Sequence, residues 1–460
     1  MEGDAGACST RPGPRCSSGS KALILALNEM GDGKLWYTST KELQQASLEI
    51  CLACRKYQIF ELKVDAQTPR TLLAAVDAPP PHTKRPCRTR VPRLRARRVK
   101  WNMPTATELR TPIFALKDVD CLWFGGVFNG SLEAVVWPRR LKQIIFFSSE
   151  FNQPIDAVQW PVSLQRLDLG ESFNQPMEGV EFPPSLQQLS FSECFDQPID
   201  DVILPTSLQS LRMGDDFNHP IEDVRWPPSL QHISFGRYFN QPIEHVVWPS
   251  SLKEFTFAYL SEFDQSIEDV QWPASLRELM FGESFDRPIE RAIFPGSLEE
   301  LAFGRDFNQA IEDITWPDSL QRLAFGTFFN QPVDGVRWPA SLKEICFGKH
   351  ESEGFESAIM FSSFNQRVDM CGWPASMRRL TLGNKFRQSL QGLGTWMPNL
   401  ETFHLLDHSN GSGSEDSLLR GIEWPMGLRH LVVFSDSSLD GVEIPSTVDV
   451  LRLCNAAPSW

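Results

Sequence analysis

The sequence predicts a mainly β solenoid of about fourteen 22-residue coils, with one short parallel strand per coil and little helix. Three recurring segments predict it: Phe-Asn/Asp-Gln-Pro-Ile, an apolar residue followed by proline, and Leu-x-x-Leu-x-Phe/Leu-Gly. The first segment recurs every 22 residues at Phe151, Phe173, Phe195, Phe217 and Phe239, and after a step of 24 at Phe263. Self-similarity at a fixed period of this length is the signature of a repeat architecture.

Each segment has a predicted conformation. Leu323 and Phe325 are two residues apart, the period of a strand with one buried face. Gly326 follows them, where we expect the chain to turn without a Cβ clash. Prolines seven residues apart, such as Pro154 and Pro161, exclude a regular helix from the rest of the coil.

The FNQPI and PxSLxxLxFG segments resemble the FNIP-type repeat, a divergent relative of leucine-rich repeats. The resemblance covers about residues 121–460. It implies a right-handed, leucine-rich-repeat-like solenoid with a parallel sheet, used for protein interaction and without enzymatic activity of its own. It implies no particular partner.

Two kinds of repeated residue are expected to be structural. The phenylalanines and the residues before proline are predicted to form inward aromatic ladders, because an exposed aromatic stripe would promote aggregation; the alternative is an aromatic binding groove. The Asn or Asp after each phenylalanine is predicted to accept a backbone N–H at the turn after the strand. A calcium site is the alternative, but it needs about six to eight converging oxygens.

Strand alternation places a variable set of side chains on the outward face of the sheet, the face with which solenoids bind their partners. The candidate partner-binding residues there are Arg166, Asp168, Gln188, Arg212, His232, Glu254, Glu278, Glu300, Arg322 and Glu344. Adjacent Glu254, Glu278 and Glu300 repel one another, which favours a basic partner segment. Reversal of all three to lysine is predicted to abolish binding without changing folding. Alternatively, Lys253, Arg277 and Lys343 neutralise ordinary solvated surface.

Four segments are predicted along the chain. Residues 1–20 are expected to be disordered, residues 21–76 to form a small α/β or capping region, and residues 77–105 to be a Pro-rich and basic linker. Residues 106–460 are expected to form the solenoid, with insertions near 350–360 and 407–417 that are either binding loops or tolerated surface loops.

A run of nine cations without an acid lies in the predicted linker. It consists of Lys84, Arg85, Arg88, Arg90, Arg93, Arg95, Arg97, Arg98 and Lys100. Such a run is typical of a nuclear-import or nucleic-acid-binding patch, and the alternative is an unstructured linker attracted to the acidic solenoid.

Charge and composition narrow the function. The net charge is −14, but Lys and Arg outnumber Asp and Glu in residues 1–120, so the acidic remainder is unsuited to a phosphate backbone. No catalytic motif, cofactor motif or metal-ligand pattern is present, which predicts a non-enzymatic scaffold without cofactors that binds a protein.

Scattered cysteines and the lack of an 18-residue apolar run favour an intracellular, cytoplasmic protein without a membrane span, with nuclear import as the alternative. Oligomeric state is left open.

Overall fold

The computed structural model describes residues 119–348, 362–406, 418–434 and 442–453, together with short strands at 34–35, 61–64 and 98–101. The chain divides into two compact units, one formed by residues 1–153 with 157–167 and the other by residues 154–156 with 168–460. The predicted disordered residues 1–20 and both predicted insertions lie outside the described residues, as does most of the predicted capping region.

The first unit contains five strands that pair in chain order and run parallel. They are β1 (Lys34–Leu35), β2 (Glu61–Val64), β3 (Arg98–Trp101), β4 (Cys121–Gly126) and β5 (Gln143–Ser149). The next strand, β6 (Arg166–Asp168), lies where the chain passes from one unit into the other.

Strand β3 corrects the predicted linker. Their charge places residues 98–101 in the predicted linker, yet Val99 and Trp101 alternate with the two cations. Val99 pairs with Leu122 and Trp101 with Phe124 of β4, and Leu122 and Phe124 are buried. The two-residue apolar period therefore decides the structure here, and parallel strands occur before the predicted solenoid boundary at residue 106.

The second unit is a stack of short parallel strands, each hydrogen-bonded to the next. They are β7 (Gln188–Ser190), β8 (Ser210–Arg212), β9 (His232–Phe235), β10 (Glu254–Phe257), β11 (Glu278–Met280), β12 (Glu300–Ala302), β13 (Arg322–Phe325), β14 (Glu344–Phe347), β15 (Arg379–Leu382), β16 (Thr402–Leu406), β17 (His430–Phe434) and β18 (Val450–Leu453). One four-residue helix, α1 (Leu393–Trp396), interrupts the described part of this unit. The predicted mainly β solenoid is confirmed.

The strand register places equivalent residues of successive coils side by side. Leu211 pairs with Ile233, Ile233 with Phe255, and Phe255 with Leu279. All four side chains are buried. Each position of the repeat therefore forms a column that crosses the strands.

The phenylalanines of the FNQPI segment form one such column. From Phe195 to Phe386 the centroids of successive rings are 6.0–6.2 Å apart, with interplanar angles of at most 12°. Phe239 and its equivalents are fully buried, and Trp248, Trp316 and Trp338 of the Trp-Pro column are 5–9% exposed. The inward ladder is confirmed for the phenylalanines, and the aromatic-groove alternative is wrong for them. In the Trp-Pro column Trp226 and Trp272 are half-buried, so that column is inward only in part.

The residue after each phenylalanine joins one coil to the next. Asn218 Oδ1 accepts the backbone N–H of Asn240 at 2.9 Å, and the Nε2 of Gln241 donates to the same oxygen at 3.0 Å. Asp264 has the same role, because its Oδ1 accepts the backbone N–H of Asp286 at 3.1 Å. The predicted acceptor role is confirmed, and the donor belongs to the following coil. An Asp substitutes for Asn because only the oxygen is required.

Two further positions hold the coils close together. The serine of the PxSL segment donates to a leucine carbonyl of the preceding coil, as Ser319 Oγ does to Leu298 at 2.6 Å. The glycine after the strand allows close backbone approach, since a Cβ on Gly304 would lie 1.7 Å from the Gly282 carbonyl oxygen. The predicted turn role applies to Gly170, which has a φ of 83°, but Gly304 does not have a positive φ.

Candidate binding face

The outward side chains of the strands form two columns across the sheet of the second unit. The first column contains Gln188, Ser210, His232, Glu254, Glu278, Glu300, Arg322, Glu344, Arg379, Thr402 and His430. The second contains Ser190, Arg212, Ser234, Thr256, Met280, Ala302, Ala324, Cys346, Thr381, His404 and Val432.

The structure places eight of the ten predicted partner-binding residues in these columns. Gln188, Arg212 and Arg322 are exposed, while His232, Glu254, Glu278 and Glu344 are half-buried. The eighth, Glu300, is only 6% exposed. Arg166 and Asp168, the other two, are the first and last residues of β6 and are half-buried.

The predicted acidic strip is adjacent in space, because Glu254 pairs with Glu278 and Glu278 with Glu300 in the strand register. Two residues of the same column contact the ends of the strip. His232 Nδ1 lies 2.6 Å from Glu254 Oε2. Arg322 Nε donates to Glu300 Oε2 at 2.6 Å, and its Nη2 contacts the same oxygen. The hydrogen bond to Glu300 is the main reason why the pKa of Arg322 is raised.

The three cations that were the alternative means of neutralising the strip form hydrogen bonds to residues outside it. Lys253 donates to Gln231 at 2.9 Å and Lys343 to Gln321 at 2.8 Å, both in the preceding coil. Arg277 donates to Glu299 at 2.7 Å. Arg322 therefore neutralises the Glu300 end of the strip and His232 contacts the Glu254 end, whereas Lys253, Arg277 and Lys343 bond to residues outside the strip.

Glu300 requires a second correction. Reversal of all three glutamates was expected to leave folding unchanged, but Glu300 is buried against Arg322. A lysine at this position would place two cations together in a partly desolvated site. Only Glu254 and Glu278 are suitable for charge reversal that spares the fold.

A shallow pocket of about 320 Å³ opens on the face over β12–β15. The floor is formed by the small second-column residues Ala324, Cys346 and Thr381. Glu300, Arg322, Glu344 and Arg379 form its charged side, with signs that alternate from strand to strand. Sequence reasoning missed Arg379 and Thr381, because the 35-residue step from Phe329 to Phe364 displaces their coil from the regular count.

The basic run is described only at its end. Arg98 is exposed and Lys100 half-buried on β3, and Lys100 Nζ lies 5.6 Å from the centroid of the Phe147 ring. The other seven cations, from Lys84 to Arg97, lie outside the described residues.

The described residues contain neither a metal site nor a membrane span. No group of three or more His, Cys, Asp or Glu side chains there could hold a metal ion. No helix in the described part of the chain is both long and apolar enough to span a bilayer.

The stacked parallel strands and their buried ladders define a solenoid of the leucine-rich-repeat type. Among solved structures, CroV588, described as a novel circular leucine-rich-repeat protein, is 28% identical, with a TM-score of 0.58 over 78% of this chain and 56% of that one. The TLR13–ssRNA13 complex is 13% identical, with a TM-score of 0.52 over 78% of this chain and 53% of that one. The chain thus spans little more than half the length of either structure.

Four segments of the chain match the model of a known repeat family. The FNIP Repeat model matches four tandem segments, residues 173–216, 217–259, 263–306 and 307–350, and each match spans two coils. This part of the chain is therefore built of FNIP repeats, and the resemblance noted in the sequence is confirmed. No curated protein matches the chain.

Proposed function

We propose that this protein is a non-enzymatic scaffold that binds a protein partner through the outward face of its strands. One observation carries the proposal: the coils share almost every buried position, whereas the two outward columns change in charge and size from strand to strand. The aromatic and Asn ladders do not include these positions, and among them Glu300 and Arg322 form a structural pair. Faces of this kind are the binding surfaces of other solenoids.

The chemistry of the face favours a basic partner segment. Glu254 and Glu278 lie on neighbouring strands, and both are accessible to solvent. Like charges at this spacing are unfavourable in the free protein. A partner that supplies cations relieves the repulsion and adds electrostatic steering to the encounter.

The proposal is tested by co-purification of partners with three versions of the full chain. The face variant carries Glu254→Lys and Glu278→Lys. The control carries Glu290→Lys and Glu312→Lys, which make the same charge change at two exposed positions elsewhere in the coil. Proteins lost with the face variant and kept with the control support the proposal. Equal recovery with all three versions would refute it.

A second candidate function is nucleic-acid binding through residues 84–100. The exposure of Arg98 at the end of this basic run favours it. Binding to RNA or DNA that weakens steeply with salt, and that disappears when the cations of residues 84–100 are replaced by serine, would support this candidate. Binding that is unaffected by the replacement would contradict it.

A further inference from the structure

Three of the strand-end turns, which connect each strand to the next FNQPI phenylalanine, carry exposed apolar side chains. After β9, β10 and β13 these turns contain Tyr238, Tyr259, Leu260 and Phe328, which are 39–49% exposed. No other aromatic side chain is as exposed in the described part of the second unit. The coils otherwise bury their rings in the ladders, so this edge departs from the pattern of the fold.

The turns stack on one another and form a continuous ridge. The backbone N–H of Glu262 donates to the Arg237 carbonyl at 2.7 Å, and that of Glu283 to the Tyr259 carbonyl at 2.9 Å. In the same way, the backbone N–H of Asp306 donates to the Glu283 carbonyl and that of Phe328 to the Arg305 carbonyl, both at 2.8 Å. The ridge from Tyr238 to Phe328 thus crosses five coils, or about 19 Å at the usual strand spacing.

Two arginines lie on the aromatic rings of this ridge. The guanidinium of Arg237 is 5.0 Å from the Tyr238 ring centroid, and that of Arg305 is 6.0 Å from the Phe328 centroid. Arg305 is also held by Glu283, at 3.1 Å in the adjacent coil. Tyrosine and arginine are enriched in the energetically dominant positions of protein interfaces, and phenylalanine is enriched in interfaces generally.

Chain length also varies at these turns. The step of 24 residues between Phe239 and Phe263 adds two residues after β10, and Tyr259 and Leu260 lie in that longer turn. The two long insertions near 350–360 and 407–417 follow β14 and β16 in the same way. The buried columns fix the period through the rest of the coil, so new side chains can be added at the strand ends at little cost in core packing.

We propose that this ridge, formed by Tyr238, Tyr259, Leu260 and Phe328, anchors apolar side chains spaced along a basic partner segment. The inference rests on the proposed function, because the segment lies across the acidic strip of the sheet face. The charged groups of the five coils in the turns and the first column are Glu254, Glu262, Glu278, Glu283, Glu300 and Asp306 against Arg237, Arg305 and Arg322. The excess of acids selects a segment that carries Lys or Arg beside its apolar anchors.

The experiment selects binders to the full chain from a displayed library of random peptides of ~12 residues, long enough to span the ridge when extended. The ridge variant is Tyr238→Ser, Tyr259→Ser and Phe328→Ser; Ser284 already occupies the place of Tyr238 and Phe328 in another coil. The control is Ile203→Ser, Val247→Ser and Ile293→Ser, which removes still more exposed apolar side chains from another part of the coil. Melting temperatures of both variants verify folding.

We expect the enriched peptides to share apolar residues flanked by Lys or Arg. The ridge variant should weaken their binding at least about tenfold, as expected for loss of hot-spot side chains, and the control should leave the dissociation constant unchanged. Peptides that bind the ridge variant as well as wild type would overturn the inference.

The Glu254→Lys/Glu278→Lys face variant separates the two proposals. Loss of binding with the face variant alone supports the sheet face and rejects the ridge. Loss of binding with both variants is the expected result, because the segment contacts the ridge and the acidic strip together. Loss with the ridge variant alone rejects the sheet-face proposal and, with it, the inference that a basic segment lies across the strip. If no enriched peptide binds the wild-type chain more tightly than the ridge variant or the face variant, both proposals are contradicted.

Discussion

The side-chain oxygen of Asn240 accepts the backbone N–H of Asp264 at 3.0 Å and the Nε2 of Gln265 at 2.9 Å. One atom thus bridges two coils at the point where the chain leaves the strand. The contact explains why the repeat requires an oxygen after the phenylalanine and favours glutamine as the following residue.

Replacement of Asn240 by alanine removes this acceptor and leaves a backbone donor unpaired between coils. We expect the free energy of unfolding to fall by about 1–2 kcal/mol, the usual cost of such a loss. Asn240→Asp keeps the oxygen, as Asp264 does in the next coil, and should cost much less. Denaturant titration of wild type, Asn240→Ala and Asn240→Asp measures the free energy of unfolding. An equal loss in the two variants would contradict the role of the side-chain oxygen in joining the coils.

Gly304→Ala tests the close approach of coils. The new Cβ would lie 1.7 Å from the Gly282 carbonyl oxygen, a backbone atom that cannot move aside. We expect destabilisation of about 1–3 kcal/mol, as for overpacking of a core. Gly296→Ala is the matched control, because a Cβ there has no atom within 4 Å. Similar melting temperatures for both variants would reject this explanation of the glycine.

The Arg322–Glu300 pair should be strongly coupled. Arg322→Ala leaves the carboxylate of Glu300 buried without its cation, and we expect a cost of about 2 kcal/mol, reduced from that of a fully buried pair because Arg322 is exposed. In a Glu300→Gln background the same replacement should cost much less. A double-mutant cycle in the free energy of unfolding measures the coupling, and additive effects would contradict it.

Burial raises the pKa of the Cys371 thiol to about 12 from its ordinary value of 9.0. The neutral thiol is therefore favoured in the folded state. Its contribution to stability is complete below pH 9 and declines as the pH rises through 12. At pH 8 we expect iodoacetamide to modify Cys371 far more slowly in the folded chain than in the unfolded chain, since the thiolate is the reactive form. Peptide mass spectrometry measures both rates, and equal rates would show that the site is open.

Most of the fold could be predicted from the sequence, because the repeat supplies the same local evidence many times. The Phe239 column, the role of Asn240 and the outward position of Glu254 all follow from spacing alone. The error at Arg98–Trp101 arose where a dense charge run obscured the alternation of Val99 and Trp101.

The details of the face depend on neighbours that spacing does not reveal. Glu300 is buried because Arg322 lies against it from the next strand, and no pattern within its own coil indicates that contact. The exposed ridge had one sequence signal, the two extra residues around Tyr259 and Leu260, but exposure itself depends on how successive turns stack.

The most direct test of the account is carboxylate footprinting of the full chain with and without its partner, using a carbodiimide and an amine. If the outward strand face is the binding surface, the partner should reduce modification of Glu254 and Glu278 while leaving the exposed Glu290 and Glu312 unchanged. Protection of Glu290 and Glu312, with Glu254 and Glu278 still modified at the rate of the free protein, would contradict the account and move the binding surface to another part of the coil.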